Sequence, residues 1–237
     1  MAQSRSQAQP EPLPRSFYAR ACLTVARELL GCVLARRLPD GMILRGRIVE
    51  TEAYVGEEDK ACHARAGRTA RTDPLYGPPG LAYVYITYGM HYMLNAVAEP
   101  EGRPAAVLIR AAEPLEGMEW MVDARGAKAK TVSAREAASR HVAAGPARLT
   151  QAFGIDLRLN RADLRGPTIW IEPGEPVRDT EVGTSARIGC QTAAPPWDLI
   201  PWRFYVIGNV HVTPGTPRGP TTKAGKTRSG TKQRARP

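Results

Sequence analysis

Long apolar runs are missing from this 237-residue chain, and none of the short ones approaches the ~20 residues that cross a bilayer. The opening stretch, Met1–Arg15, is polar and has no apolar core, so no secretory leader is expected. The four cysteines, Cys22, Cys32, Cys62 and Cys190, form no C-x-x-C pair and fit no zinc spacing. They are expected to be reduced, buried thiols. Cys62-His63 offers two metal ligands but no second cluster completes a set, so no metal site is expected. Phosphate-cradling patterns are also absent: there is no G-x-x-x-x-G-K-[ST] and no G-x-G-x-x-G between a strand and a helix. Nor is there a G-x-S-x-G elbow. Nucleotide-fuelled and serine-hydrolase chemistries therefore lose support, and no cofactor is expected.

Acidic residues are missing altogether from one region. The chain holds 33 Lys+Arg against 23 Asp+Glu, a net charge of +10. Seven of those basic residues lie between Arg218 and Pro237, where there is no acidic residue. This stretch is rich in Gly, Thr and Pro and has almost no apolar surface to offset ordering entropy. It reads either as a non-specific nucleic-acid tether or as a solvated tail. Three parts are expected: a disordered arm over 1–15, a domain over 16–213 and a disordered basic tail over 214–237. Apolar residues make up 43% of the chain, enough for a real core. The basic excess suggests a polyanionic partner.

What is present begins with mixed-order elements. Residues 24–30 read as a short helix with Thr24 as a cap and Gly31 past its end. Residues 43–54 read as a strand with Ile48, Glu50, Glu52 and Tyr54 on one face and Arg47, Val49, Thr51 and Ala53 on the other. Residues 55–80 form a long Gly-, Pro- and charge-rich loop, a length that usually signals function or disorder. Strands follow over 81–87 and 91–97, joined as a hairpin at Tyr88-Gly89-Met90. Further strands are expected over 105–110, 168–172 and 202–208, with helical patterns over 113–125 and 134–153, the second broken near Gly145-Pro146. This order favours a single α+β domain with a mostly antiparallel sheet.

Five of the eight tyrosines fall between Tyr76 and Tyr92. Tyr83 and Tyr85 share a strand face, which either lines a groove or is ordinary half-buried strand surface. A groove of that kind suits base stacking, worth about 1–3 kcal/mol per base. Tyr88 at a hairpin tip has the form of a wedge that enters a base step. Glu50 and Glu52 are either surface carboxylates or a site where one, near aromatic surface, acts as a general base. Arg65, Arg68 and Arg71 recur at intervals of three and suit phosphates or simple solvation. Arg110 ends an apolar strand, where an unpaired charge would be costly, so a fixed carboxylate or phosphate partner is expected.

A longer pattern joins these pieces. Arg47-Ile48-Val49-Glu50-Thr51-Glu52-Ala53-Tyr54, Asp59, His63, Tyr83-Val84-Tyr85, Tyr88-Gly89-Met90, Asn95 and Leu108-Ile109-Arg110-Ala111 stand in order. Gly145-Pro146-Ala147-Arg148-Leu149, Ala186-Arg187-Ile188-Gly189 and Trp202-Arg203-Phe204-Tyr205-Val206 follow. Over roughly residues 17–208 this closely resembles the alkyladenine (3-methyladenine) DNA glycosylase family. The resemblance implies a curved antiparallel sheet with surrounding helices and a protruding hairpin, and not a helix-hairpin-helix fold. It implies a monofunctional enzyme that flips alkylated or deaminated purines out of double-stranded DNA and hydrolyses the N-glycosidic bond.

By the same resemblance, Glu52 is the general base and Arg110 lies beside the flipped nucleotide. Tyr54, His63 and Tyr85 sandwich the base, and Asn95 excludes the guanine 2-amino group. Cys190 offers a backbone N–H to the base. Tyr88 and Met90 enter the DNA, and Arg65, Arg68, Arg71 and Arg148 meet its backbone. The loop Thr69–Tyr76 departs from the family arrangement and adds Asp73 near the expected DNA. The competing readings are a non-catalytic nucleic-acid-binding module and a small-molecule nucleoside hydrolase. A monomer without membrane contact is expected, in the cytoplasm (nucleoid) of a bacterium or the nucleus of a eukaryote.

Overall fold

A computed structural model of the chain describes residues 11–126 and 141–214. The chain order is α1 (Arg15–Tyr18), α2 (Cys22–Glu28), β1 (Val33–Arg37), β2 (Ile43–Val55), β3 (Ala82–Thr87), β4 (His91–Val97), β5 (Ala105–Glu116) and α3 (Met118–Ala124). Then come α4 (Pro146–Ala152), β6 (Ile169–Glu172), β7 (Val182–Ser185) and β8 (Arg203–Val206). Among the described residues the eight strands make one curled sheet, ordered β3-β4-β5-β2-β1-β6, with β8 pairing both β2 and β7. Every pairing is antiparallel. The fold is therefore α+β, with helices packed on one side of an antiparallel sheet.

The long central strand β2 touches β1, β5 and β8, and it does not keep a strict two-residue period. Ile48 pairs with Ala112, Glu50 with Ala111 and Thr51 with Ile109, so the register shifts on both sides of Glu50. Ile48 and Ala53 enter the main core with Val107, Ile109 and Ala112. Val49 instead packs with Ala111, Tyr205 and Val212 on the other side. The expected alternation is thus corrected: a bulge turns Val49 and Glu50 to the same side and transfers Ile48 to the core face. Bulges re-aim side chains next to active sites, and this one aims Glu50 at the arginines described below.

Other expectations need smaller corrections. Helix α2 starts two residues early, with Ala21 at its cap, so Thr24 lies inside it. Gly31 does end the turn, at φ +90°, where a Cβ would run into the Glu175 carbonyl. No helix spans 113–125: β5 continues to Glu116 in pairing with β2, and α3 starts only after Gly117. Cross-strand pairing with the longest strand there overrides local helix preference. Of the helical pattern over 134–153, the part after its expected break is α4, which starts at that break with Gly145 as its cap and Pro146 in its first turn, where its missing N–H costs nothing. Residues 134–140 lie outside the described residues. At the other end, Leu13, assigned to the arm, is buried and donates its N–H to the Ile171 carbonyl at 2.8 Å.

Gly183 on β7 lies against the buried ring of Tyr205 on β8, and a Cβ there would run into that ring. Gly183→Ala is expected to destabilise the protein by roughly 1–3 kcal/mol, as a lower urea midpoint. An unchanged midpoint would show that the β7–β8 packing is loose.

Candidate active site

Strands β3, β4 and β5, the loop after β2 and the segment 188–190 enclose a cavity of about 350 Å³. That is within the range of small-ligand pockets, about 300–1,000 Å³. Its walls are aromatic. Tyr54, His63, Tyr83 and Tyr85 all line it, with the His63 and Tyr85 rings edge-to-face at 4.5 Å. The His63 Nδ1 lies 3.0 Å from the Tyr83 hydroxyl. Val84, on the opposite face of β3, packs into the main core, so the tyrosine face lines a cavity rather than open surface. Asn95 also lines it, and its amide donates to the Tyr83 carbonyl at 3.0 Å. Cys190 closes one side, its Sγ 3.7 Å from the Tyr54 hydroxyl.

The long loop over 55–80 is ordered by its own packing. Two 3-10 turns, His63–Ala66 and Asp73–Tyr76, bury Cys62, Ala64, Leu75 and Tyr76 in a small core beneath the cavity. That packing carries His63 to its place in the wall.

Behind the wall lies a buried charge network. Glu50, Glu52, Arg110 and Arg203 are all nearly or fully withdrawn from solvent. Arg110 Nε donates to Glu50 Oε1 at 2.8 Å, and its Nη1 reaches Glu52 Oε2 at 3.2 Å. The partner expected for Arg110 is therefore a pair of carboxylates. Arg203 Nε also donates to Glu50 Oε1, at 2.7 Å, while Thr213 donates to Oε2 through its N–H at 2.8 Å and its hydroxyl at 2.6 Å. Glu52 Oε1 accepts the Ile188 N–H at 2.7 Å and Oε2 the Tyr54 hydroxyl at 2.8 Å. The groups around Glu52 all donate, which favours its carboxylate form. Glu52 does not itself line the cavity but sits directly behind Tyr54 and Arg110, which do.

The two carboxylates are driven apart by their partners. For Glu50, burial raises the pKa, but Arg110, Arg203 and the Thr213 bonds together outweigh it and hold the group below the ordinary carboxylate value. For Glu52, burial dominates and is only partly offset by Arg110, Ile188 and Tyr54, so the group sits above that value. A pair of titratable groups separated in this way is a signature of acid/base sites.

A second buried pair supports Tyr54. Arg187 and Asp59 are fully buried and joined by two contacts, at 2.5 and 2.8 Å. The Arg187 guanidinium stacks over the Tyr54 ring at 4.7 Å and over Trp202 at 5.2 Å. Its Nη1 also donates to the Ala53 carbonyl at 2.9 Å.

At the rim, the β3–β4 hairpin presents Tyr88, 89% exposed, and Met90, 66% exposed. Tyr88 has φ +51° and Gly89 φ +68°, the positive pair that a tight type I′ turn requires. A tyrosine in that conformation costs about 1–2 kcal/mol, and its ring is left exposed at the tip rather than buried. The loop arginines are engaged differently from one another. Arg68 and Arg161 both pair with Asp73, at 2.7 and 2.5 Å, so the negative charge of Asp73 is covered. Arg65 donates to the Lys60 carbonyl. Arg71 stacks over Tyr85 at 5.5 Å. Arg148 lies on α4, half-exposed, two residues from Pro146, which lines the cavity.

Sequence reasoning alone assigned no task to Arg203, Thr213, Asp59 or Arg187. The usable signal was the cost of burying Arg110: one buried arginine needs carboxylates, and each carboxylate needs further donors.

Burial, then Arg71 and Arg65, push the His63 pKa from 6.5 down to about 4. The unfolded chain therefore binds a proton more readily than the folded one between these values. Stability from this group is intact above pH 6.5 and is lost as pH falls through the window. The fall in urea midpoint between pH 7 and pH 4.5 should be shallower for His63→Gln than for the wild type. An identical fall would show that His63 is not held neutral.

Residues 16–210 match the family model described as methylpurine-DNA glycosylase. A relative from Carboxydothermus hydrogenoformans is 47% identical over 202 residues, covering 85% of this chain and 98% of its own. One from Methanocella arvoryzae is 48% identical over 196 residues, covering 81% and 91%. One from Myxococcus xanthus is 44% identical over 207 residues, covering 87% and 96%. All three bear names of the 3-methyladenine DNA glycosylase type. With a match that takes in every cavity wall and the whole sheet, the chain belongs to the methylpurine-DNA glycosylase family, whose members are hydrolases of N-glycosyl bonds in DNA.

Proposed function

We propose that this chain is a monofunctional purine-lesion DNA glycosylase that works on double-stranded DNA as a monomer, with Glu52 as its base. The observation that carries the proposal is the placement of one buried, donor-fixed carboxylate directly behind an aromatic cavity. A glycosidic bond inside a duplex is out of reach of such a cavity, so the nucleotide must leave the stack. Tyr54, His63 and Tyr85 supply ring surface for the extruded base. Asn95, fixed to the Tyr83 carbonyl, restricts which purine edge fits. Tyr88 stands exposed where a wedge is needed to fill the vacated space.

Hydrolysis needs a base for water and stabilisation of positive charge developing on the sugar. Ile188, Tyr54 and Arg110 all line the cavity; Glu52 Oε1 is held by the Ile188 backbone N–H, and Oε2 is the oxygen shared between the two side chains, Tyr54 and Arg110. Water replacing the Tyr54 hydroxyl at that oxygen would give up its proton there. The raised pKa of Glu52 makes it a better base than an ordinary carboxylate. Among the described residues no lysine lines the cavity, so no Schiff-base step is invoked and the strand should remain intact. Arg65, Arg68, Arg71, Arg148 and the basic tail supply phosphate contacts, which give salt-sensitive attraction without sequence preference. A pure binding module has no use for a desolvated carboxylate facing a polyanion, and a nucleoside hydrolase has no use for Tyr88.

Duplexes carrying hypoxanthine, 1,N6-ethenoadenine or 3-methyladenine should yield alkali-labile sites, with no strand break before alkali. No excision of any of them would overturn the proposal. Glu52→Gln should lower single-turnover excision by more than about 100-fold while lesion binding survives. Excision at the wild-type rate would place the base elsewhere. Tyr88→Ser should weaken binding to lesion duplex in a gel-shift titration, and unchanged affinity would show that Tyr88 is not the wedge.

A further inference from the structure

Thr213 lies three residues beyond the stretch matched by the family model, yet it makes two of the four hydrogen bonds that satisfy Glu50. A carboxylate has about four acceptor sites. Those of Glu50 are taken by Arg110 and Arg203 on Oε1 and by the Thr213 N–H and hydroxyl on Oε2. Glu50 has no exposure to solvent, so water does not stand ready to replace a lost donor. Thr213 is fastened from the core side by its neighbour Val212, which packs with Val49, Ala111 and Tyr205.

The consequence falls on Arg110. Its grip on Glu50 is short, 2.8 Å, while its reach to Glu52 is longer, 3.2 Å. If Glu50 lost the Thr213 hydroxyl, two charged donors would stand close enough to compensate, Arg203 at 2.7 Å and Arg110 at 2.8 Å, and any share taken from Arg110 is drawn away from Glu52. We infer that Thr213 is a positioning residue: by filling Oε2 of Glu50 it leaves Arg110 shared between the two glutamates and keeps Glu52 under the guanidinium. This rests on the reading of Glu52 as the base of a glycosylase.

The groups facing the pair are few. Glu50 meets Arg110, Arg203 and Thr213, while Glu52 meets Arg110, Tyr54, the Ile188 N–H, Cys190 and, at longer range, Tyr85. Burial pushes the hydroxyls of Tyr54 and Tyr85 and the Cys190 thiol upward, so they stay protonated through the neutral range. Of these groups only the carboxylates titrate on the acid side; His63, which titrates at about 4 in the cavity wall, is common to the wild type and the Thr213 variants. With less of Arg110, Glu52 keeps its proton to higher pH, and a base that must be unprotonated fails earlier as pH falls.

The test is single-turnover excision from a hypoxanthine duplex as a function of pH, with the full-length wild type, Thr213→Val and Thr213→Ser. Thr213→Val should move the acid limb of the rate profile upward by about half a pH unit or more, a part of the roughly 1–2 units that one charge-assisted hydrogen bond represents. Thr213→Ser, which keeps the hydroxyl, should restore the wild-type limb. A limb unmoved in Thr213→Val, or moved to lower pH, overturns the assignment even if the rate or the melting temperature drops. In that case wild-type excision still stands and the glycosylase reading with it. A wild type that excises none of the three lesions removes both.

Discussion

A single guanidinium divided between two buried carboxylates sets the character of this molecule. Arg110 can be buried only because Glu50 and Glu52 take its charge, and two glutamates can lie side by side only because Arg110 and Arg203 separate their fields. Breaking one partner of such a network leaves an uncompensated charge in a dry interior, at a cost of about 3–5 kcal/mol. The bulge in β2 turns Glu50 into this network, and the pairing of β8 on that strand and the return of the chain to Thr213 supply donors to it. They are explained together by that need.

Around the network the protein builds surface for a flat, polar-edged guest. The walls are rings, and the rings are themselves held. Arg187, locked by Asp59, lies over Tyr54; Arg71 lies over Tyr85; Tyr83 holds His63. Rigid aromatic walls lose little entropy when a base stacks on them, and preorganisation of this kind favours binding. The exposed counterpart is the hairpin tip, where backbone strain presents Tyr88 instead of burying it. Interior and rim are thus matched to one event, the transfer of a base from stack to cavity.

Much of this was legible in the sequence, and the exceptions have physical causes. The strands of the hairpin, the tip residues and the tyrosine face over 83–85 follow from two-residue alternation and a glycine turn, because that part of the sheet is regular. The face assignment at Ile48 and Val49 failed because a bulge adds a residue that no alternation rule anticipates. The helix expected over 113–125 gave way to β5 because partner strands, which lie far away in sequence, decide where a strand ends. Arg110 was visible as a costly charge in need of a carboxylate or phosphate partner, while Glu52 was set apart from Glu50 only by the resemblance. Thr213 and Arg203 were not visible, since their value appears only when chain segments 153 and 163 residues away meet at Glu50.

The account depends on one split: two neighbouring glutamates of the same strand, one held below and one above the ordinary carboxylate value near 4.5. The most direct measurement is a carboxylate 13C NMR titration of glutamate-labelled protein, with Glu50→Gln and Glu52→Gln used to assign the two signals. The account predicts two separate steps, Glu50 losing its proton at the lower pH and Glu52 at the higher. Titration of both groups together at the value of a free glutamate would contradict it.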